Sequence, residues 1–247
     1  MLTQVKTQLK NLKLSGIANA LELRMMEAQQ NQLSYSEFLS MLLSDEFEKR
    51  ENNKINSLIK NAGLTNDKTL ENFDFSFNPS INSIVIRELA ACRFIEQGAN
   101  LFLIGPTGTG KTHLARAIAH HACRKSFSVR FFNFYHLFNQ FLDKDINNKI
   151  EPFLKKLSKA DLIVIDDFAF KKISAQSSEY LYAIVDARYQ HGSFILTSNK
   201  SINDWVSVFP DPIIANAILD RLAHNTHQII IKGESYRKKL RPESLNA

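Results

Sequence analysis

One stretch limits what this chain can fold into more than any other: Leu101-Phe102-Leu103-Ile104-Gly105-Pro106-Thr107-Gly108-Thr109-Gly110-Lys111-Thr112. An apolar run leads into a glycine-rich loop, then Lys-Thr, then the helix-like Ala115-Arg116-Ala117-Ile118-Ala119. Gly105, Gly110, Lys111 and Thr112 satisfy G-x-x-x-x-G-K-[ST], in the strand-before, helix-after context that the motif requires. The spacing has a chemical reason. Small residues let backbone N–H groups turn inward around phosphate oxygens, and the positive N-terminus of the following helix points at the same oxygens. Lys111 is placed to reach the β- and γ-phosphates, and the Thr112 hydroxyl to ligate Mg²⁺. Gly105, Pro106, Thr107, Gly108, Thr109, Gly110, Lys111 and Thr112 are therefore the candidate binding residues for ATP with Mg²⁺.

Strand–helix alternation from residue 100 onward predicts an α/β fold, a parallel sheet wound with helices, and ligands bind such sheets at the carboxyl ends of the strands. Leu162-Ile163-Val164-Ile165 is continuously apolar, as a central parallel strand should be, and it ends in Asp166 and Asp167. Downstream of a phosphate loop, Asp166 takes the Walker B position and is expected to hold Mg²⁺. Asp167 then either polarises an attacking water or is an ordinary solvated loop acid. Phe194-Ile195-Leu196-Thr197-Ser198-Asn199 is a further strand, and Asn199 either orients the same water or forms a turn. Arg221 reads equally as an arginine finger for a neighbouring subunit's phosphoryl group and as a helix-surface arginine paired with an acid.

Residues 1–70 read as three amphipathic helices. Leu2, Val5, Leu9 and Leu12 share one face, and Ser15-Gly16 breaks that run. Ile17, Ala20, Leu21, Met25 and Ala28 mark the second helix. Ser34 with Glu37 is a capping box that opens a third, carrying Phe38, Leu39, Leu42, Leu43 and Phe47 through Leu58 and Ile59 to Gly63 as its C′ residue. This bundle is either a DNA- or partner-binding module or a packed accessory, since its charges balance and only Lys6, Lys10 and Lys13 form a one-sign cluster. Residues 71–80 read as a linker whose alternating aromatics lie in extended chain packed on the next domain. The ATPase domain is expected over 81–235, with an unbroken helix over 81–97 and a polar loop over 143–148. Residues 236–247 read as a basic, frayed tail. The segment around Arg130, rich in Phe, reads as a buried strand rather than a base-stacking platform.

The chain's 247 residues fit one large domain or one medium domain with an appendage. A net charge of +6 and a pI near 9.2 are compatible with a polyanionic partner without requiring one. Cys92 and Cys123 are too few for a disulfide framework and read as buried free thiols in a reducing compartment. No apolar run approaches the roughly 20 residues of a membrane span, and no signal-peptide core is present. A soluble cytoplasmic protein is expected.

The order GPTGTGKTHLA, LIVIDDF, ILTSN and ILDRLAHNTHQIIIKGESYR, preceded by KTQLKNLKLSGIANALE, LSYSEFLSMLLSDEFEKRENN and TLENFDFSFNP, resembles the IstB-like family of AAA+ ATPases. These are insertion-sequence transposition helpers related to the DnaC helicase loaders. The likeness extends over nearly the whole chain; the Walker motifs are widespread, and the N-terminal segments and the GESYR ending are its specific part. The resemblance implies a P-loop AAA+ fold preceded by a small all-helical domain. It implies ATP-dependent self-association on double-stranded DNA, and help to the transposase of the same insertion element in selecting a target. It places Arg221 at the finger position and Arg237 at a second nucleotide-sensing position. Asp167 stands where many AAA+ proteins carry Glu, one methylene longer, which implies slow or partner-dependent hydrolysis.

Three rivals stand beside this reading. A DnaC-type loader would use the bundle to grip a replicative helicase. A small-molecule kinase would explain the phosphate loop but give Asp167, Asn199 and Arg221 no joint role. A non-hydrolysing nucleotide-gated scaffold is disfavoured by the complete motif set.

Overall fold

A computed structural model of the chain describes residues 2–65 and 67–239; the end of the expected tail, 240–247, lies outside the described residues. Contacts divide the chain into two compact units, Met1–Ser57 and Leu58–Ala247.

The first unit is built from α1 (Leu2–Asn11), α2 (Ser15–Gln30) and the larger part of α3 (Tyr35–Ala62). Its small core is Ile17, Leu21 and Leu42, with Leu2, Leu9, Leu14 and Phe38 against it. The capping box forms: Ser34 N–H and Oγ donate to Glu37 Oε2 at 2.8 and 2.7 Å, and Glu37 N–H donates back to Ser34 Oγ at 3.3 Å. Gly16 permits a close approach, since a Cβ there would stand 2.6 Å from Asp45 O. The N–H groups of Gly16 and Ile17 donate to Glu46 Oε2 at 2.7 and 3.3 Å, so a carboxylate of α3 satisfies the open N-terminus of α2. Arg24 grips Asp45 bidentately beside it, at 2.8 Å for each bond.

The second unit contains α4 (Ser83–Ala90), α5 (Arg93–Glu96), β1 (Asn100–Ile104), α6 (Lys111–Arg124), β2 (Val129–Asn133), α7 (Phe134–Ile146), α8 (Ile150–Ser158), β3 (Leu162–Asp166), α9 (Ala175–Arg188), β4 (Ser193–Ser198), α10 (Ile202–Trp205), α11 (Pro212–Ala223), β5 (Thr226–Ile230) and α12 (Tyr236–Lys239). The strands form one parallel sheet in the order β2-β3-β4-β1-β5. The three central strands are buried throughout, whereas the edge strands β2 and β5 are only partly covered. Side chains alternate between the faces. Phe102, Ile104, Ile163 and Ile165 join an aromatic-rich layer with Phe134, Phe141, Phe168 and Trp205. Leu101, Leu103, Leu162 and Val164 join the layer under α6.

Four local expectations change. The unit boundary falls within α3, not near residue 70, because Ala62 and Leu64 belong to the core under α6 and Leu58 and Ile59 pack against it. The following segment is bound along α6: the His113 and His120 Nε2 atoms bond the carbonyls of Thr69 and Thr65 at 2.8 and 2.7 Å. The helix expected over 81–97 is two, separated at Cys92, whose φ is +62°. Helix α7 extends to Ile146, so 143–146 is helical, with Asn147 hydrogen-bonded back to Asp143 at its end. Residues 71–80 run through turns rather than extended chain.

Arg130 donates to Asn61 O at 2.9 Å, and its strand pairs in register with β3, as a sheet strand should. Both cysteines are free and fully buried, and burial pushes their thiols up to about 11. Arg188 is 1% exposed. It donates to the carbonyls of Leu157, Ala160, Asp161 and Ser193, fastening the end of α8 to the starts of β3 and β4.

Candidate active site

The end of β1 delivers the chain at Ile104 into the phosphate loop, and the chain re-emerges as α6 at Lys111. Two glycines are required by geometry. A Cβ on Gly105 would lie 2.2 Å from Ile231 O, and Gly108 sits at φ +83° with Ser235 Oγ 2.0 Å from the position of a Cβ. The loop is braced from within: Thr109 Oγ1 donates to Pro106 O at 2.9 Å, and Lys111 Nζ donates to the carbonyls of Gly105 and Pro106 at 2.7 Å each. Burial holds the Lys111 ammonium below its ordinary pKa, with the Asp167 and Asp166 charges pulling the other way. A lysine this enclosed is poised for a strong anionic partner.

Asp166 ends β3, and its Oδ1 accepts from Thr112 Oγ1 at 2.9 Å and from Thr197 Oγ1 at 2.6 Å. The Thr197 hydroxyl also accepts the Asp167 N–H at 3.0 Å, and the Thr197 carbonyl accepts the Phe168 N–H at 2.7 Å. These bonds hold Asp167 in left-handed backbone at φ +56°, a conformation that needs surrounding support in a non-glycine residue. The Asp167 carboxylate accepts from Asn133 Nδ2 at 3.2 Å, while Asn133 Oδ1 caps α7 by accepting from Tyr135 N–H at 3.0 Å. Partial desolvation first, and the Asp166 charge second, raise the Asp167 pKa above its ordinary value; Lys111 and Arg237 oppose this. The Thr112–Asp166 pair is a hard-oxygen donor set of one hydroxyl and one carboxylate. Such a set fits Mg²⁺, which keeps waters and phosphate oxygens as its remaining ligands.

A cavity of about 330 Å³ opens beside the loop. One wall is the loop with Lys111, Thr112 and Asp167; the other is Phe73, Phe77, Tyr236 and Arg237. Phe77 and Tyr236 meet edge-to-face at 4.8 Å, and Tyr236 N–H donates to Gly108 O at 2.9 Å. The segment at 234–237 therefore closes over the phosphate loop instead of trailing away from it. Arg237 faces the cavity that holds Lys111 and Asp167.

A parallel five-stranded sheet, with a phosphate loop after its first strand and an acidic pair after its third, is the core of a P-loop nucleotide-binding fold. The model of the family described as IstB-like ATP binding protein matches residues 7–244. The chain belongs to this family. Among its relatives is a Pseudomonas aeruginosa protein named as the ATP-binding protein of insertion sequence IS21, 37% identical over 96% of this chain and 89% of that one. The corresponding protein of IS232 from Bacillus thuringiensis is 37% identical over 96% and 94%, and an insertion-sequence ATP-binding protein of Mycobacterium tuberculosis is 34% identical over 96% and 95%. Among solved structures, the DnaC helicase loader shares the fold with a TM-score of 0.57 at 22% identity, over 67% of this chain and 97% of that one. AMPPCP-bound DnaA from Aquifex aeolicus does so with a TM-score of 0.57 at 21% identity, over 72% and 54%. The fold is thus AAA+, and ATP is the ligand in the family's description.

In this IstB-like chain the structure brings together Gly105 to Thr112, Asp166, Asp167 and Arg237. Asn199 follows the end of β4 beside the loop, where Gly105 N–H donates to Ser198 O at 3.1 Å, but Asn199 itself is exposed and is not part of the cavity wall. Arg221 lies elsewhere. It lines a different cavity, of about 480 Å³, with Gln97, Asn100 and Asn225 at the start of β1 and β5. The sequence marks 197–199 as a polar strand end without giving Thr197 its role, and Asn133 escapes sequence reasoning. Thr197 stands beside Ser198 at the end of an apolar strand, and Asn133 is the last residue of a Phe-rich strand. Their only sequence signal is a polar residue at a strand's carboxyl end.

Proposed function

We propose that this protein hydrolyses Mg-ATP, self-associates on double-stranded DNA in an ATP-dependent way, and helps the transposase of its insertion element to select a target and insert there. The observation that carries the reading is the separation of the site's parts. Arg221 stands by the first residue of β1 and the phosphate loop follows its last, a strand length of about 13 Å. An arginine at that end of the sheet is out of reach of its own phosphate site and available to a neighbour's. An ATPase divided in this way is complete only when copies of the chain assemble.

In the assembled site Lys111 and the loop N–H groups hold the phosphates, and Thr112 and Asp166 hold Mg²⁺. Bound there, Mg²⁺ neutralises charge on the β- and γ-oxygens. Asp167, held in its left-handed conformation by Thr197 and hydrogen-bonded by Asn133, accepts a proton from water as it attacks. Asn199 helps to orient that water. Arg237 adds positive charge from above the loop, and Arg221 of a neighbouring copy neutralises the transferring phosphoryl group. The chain's net charge of +6 suits a polyanionic track, and a related fold, DnaA, has been solved with AMPPCP and single-stranded DNA. The helical unit at the N-terminus serves as the DNA- or partner-binding module, and the relatives' insertion-sequence names support a transposase as its partner.

The test is complementation. Arg221→Ala should bind ATP normally and lose DNA-stimulated hydrolysis, with finger contributions elsewhere on the order of 10³–10⁵. Mixing it with Lys111→Ala should restore turnover, because an intact loop on one copy then meets an intact arginine on the next. Full hydrolysis by Arg221→Ala alone, or loss without rescue, would defeat the trans assignment. A second reading, a DnaC-type helicase loader, is favoured by the coverage of nearly all of DnaC by this fold. It predicts stimulation by a replicative helicase and no effect on transposase-dependent strand transfer.

A further inference from the structure

The guanidinium of Arg221 is held from three directions. Its Nε–H donates to Asp186 Oδ1 at 3.0 Å, one terminal nitrogen to Tyr182 Oη at 3.2 Å, and the other to Ala217 O at 2.9 Å. The Tyr182 ring also lies under the guanidinium, 5.1 Å from centroid to carbon. Tyr182 and Asp186 are one helical turn apart on α9, and Arg221 is in the last turn of α11. The pairing therefore locks a long, rotamer-rich side chain across two helices.

Donor accounting shows what this lock leaves free. Arginine has five N–H donors. Three are engaged, by Asp186, Tyr182 and Ala217, which leaves one N–H on each terminal nitrogen. Those two hydrogens form the end of the planar fork that matches a phosphate's paired oxygens. The Arg221 side chain keeps 27% of its surface exposed, so the fork is restrained but not covered. An arginine held only to satisfy its own helix would need neither the carboxylate nor the tyrosine, because the Ala217 carbonyl one turn back already serves that purpose.

We propose that Asp186 and Tyr182 are positioning residues for Arg221, presetting its guanidinium to engage the γ-phosphoryl oxygens of nucleotide bound to a neighbouring copy. This rests on the reading of Arg221 as a finger acting in trans. Pre-organisation is the reason such a lock matters: an unrestrained arginine must lose its rotamer freedom when the subunits meet, whereas this one has already lost it. Asp186 also disperses part of the guanidinium charge. The lock acts through geometry, and full ion-pair neutralisation is prevented by the half-exposed carboxylate, at 52%.

The experiment uses the full chain with saturating ATP, Mg²⁺ and duplex DNA, and compares Asp186→Asn, Asp186→Glu, Tyr182→Phe and Arg221→Ala. Asp186→Asn should lower kcat about three- to tenfold, with KM for ATP, assembly on DNA and melting temperature unchanged. Tyr182→Phe keeps the ring and loses the hydroxyl, so its kcat should fall about threefold. Asp186→Glu should recover most of the rate. Neither Asp186→Asn nor Tyr182→Phe should lower the rate further in an Arg221→Ala background. A parent-like kcat in both single variants, while Arg221→Ala is inactive, would overturn the positioning role and leave the finger intact. Faster hydrolysis in Asp186→Asn would overturn it too, since the acid would then be sequestering the arginine. If Arg221→Ala itself retains full activity, the finger reading fails first, and the positioning role falls with it.

Discussion

Replacing Thr197 by Val keeps the side-chain shape and removes one hydroxyl that serves two neighbours, the buried Asp166 carboxylate and the part-buried N–H of Asp167. Thr197 is 0% exposed; its hydroxyl donates to the Asp166 carboxylate at 2.6 Å and accepts the Asp167 N–H at 3.0 Å. A hydrogen bond to a charged acceptor contributes about 1.5–3 kcal/mol and a neutral one about 1 kcal/mol. The variant should therefore lose roughly 2–4 kcal/mol of stability. Trp205 makes this measurable. It is the chain's single tryptophan, fully buried beside Phe168 with its indole N–H on Ser198 Oγ at 3.1 Å. Its fluorescence in urea reports on the second unit, and the midpoint should fall by about 1 M or more. Hydrolysis should fall about ten- to hundredfold, because among the described residues no other group bonds the Asp167 N–H, and the carboxylate drifts. A midpoint shift near zero with parent-like turnover would refute the claim that Thr197 sets the acidic pair.

Lys111→Ala should abolish ATP binding measured by calorimetry, whereas Asp167→Asn should retain Mg-ATP affinity and lose turnover; parent-like affinity in the first, or parent-like turnover in the second, would contradict the assigned roles. In the proposed mechanism hydrolysis requires ionised Asp167, whose pKa is raised by desolvation and then by Asp166 and is lowered by Lys111 and Arg237. The acid limb of the kcat profile should accordingly lie above the ordinary carboxylate range, and Arg237→Ala should move it further up in pH; a downward movement would show that Arg237 does not act on this carboxylate. A chain beginning at Leu58 should fold and bind ATP but lose DNA assembly. One beginning at residue 71 should unfold more readily by roughly 3–5 kcal/mol, since it lacks Ala62, Leu64 and the two carbonyls bound by His113 and His120. Equal urea midpoints would place the unit boundary back near residue 70.

What was legible in the sequence is what local spacing encodes. The phosphate loop announces itself because phosphate contact demands glycines, Lys and Thr at fixed offsets, and Asp166 because a buried parallel strand reads as an unbroken apolar run. The Ser34–Glu37 capping box is local in the same way. The parts that escaped depend on distant partners. Amphipathic spacing says that Leu58, Ile59 and Ala62 have a buried face, not that the face belongs to the layer under α6; the apparent continuity of α3 therefore hid the boundary between units. Cys92 looks like any helical residue, and only the turn of the chain towards Phe94 and Ile95 requires its φ of +62°. Arg188 has the spacing of a surface arginine in the last turn of a helix. Its burial makes sense only once the carbonyls at the end of α8 and the starts of β3 and β4 converge on it, and burial then holds its pKa down at about 10.

Arg221 joins the two kinds of information. Its sequence reading left two choices, a finger or an arginine paired with an acid, and the structure meets the second directly through Asp186. The two are not exclusive. An exposed ion pair contributes little stability, about 0–1 kcal/mol, so stability alone is a weak reason to fix a long side chain by a carboxylate, a phenol and a carbonyl together. Fixing it is consequential where the loss of freedom would otherwise fall on the moment of catalysis. The same economy appears at Asp167, where backbone strain at φ +56° is held by a threonine from the adjacent strand. At both ends of the sheet, a group to which the proposed mechanism gives a role in phosphate chemistry is held by side chains of neighbouring elements. Those residues lie on α9 and β4, distant in sequence from the motifs that first identify the site, and they are where mutation should separate ATP binding from ATP turnover.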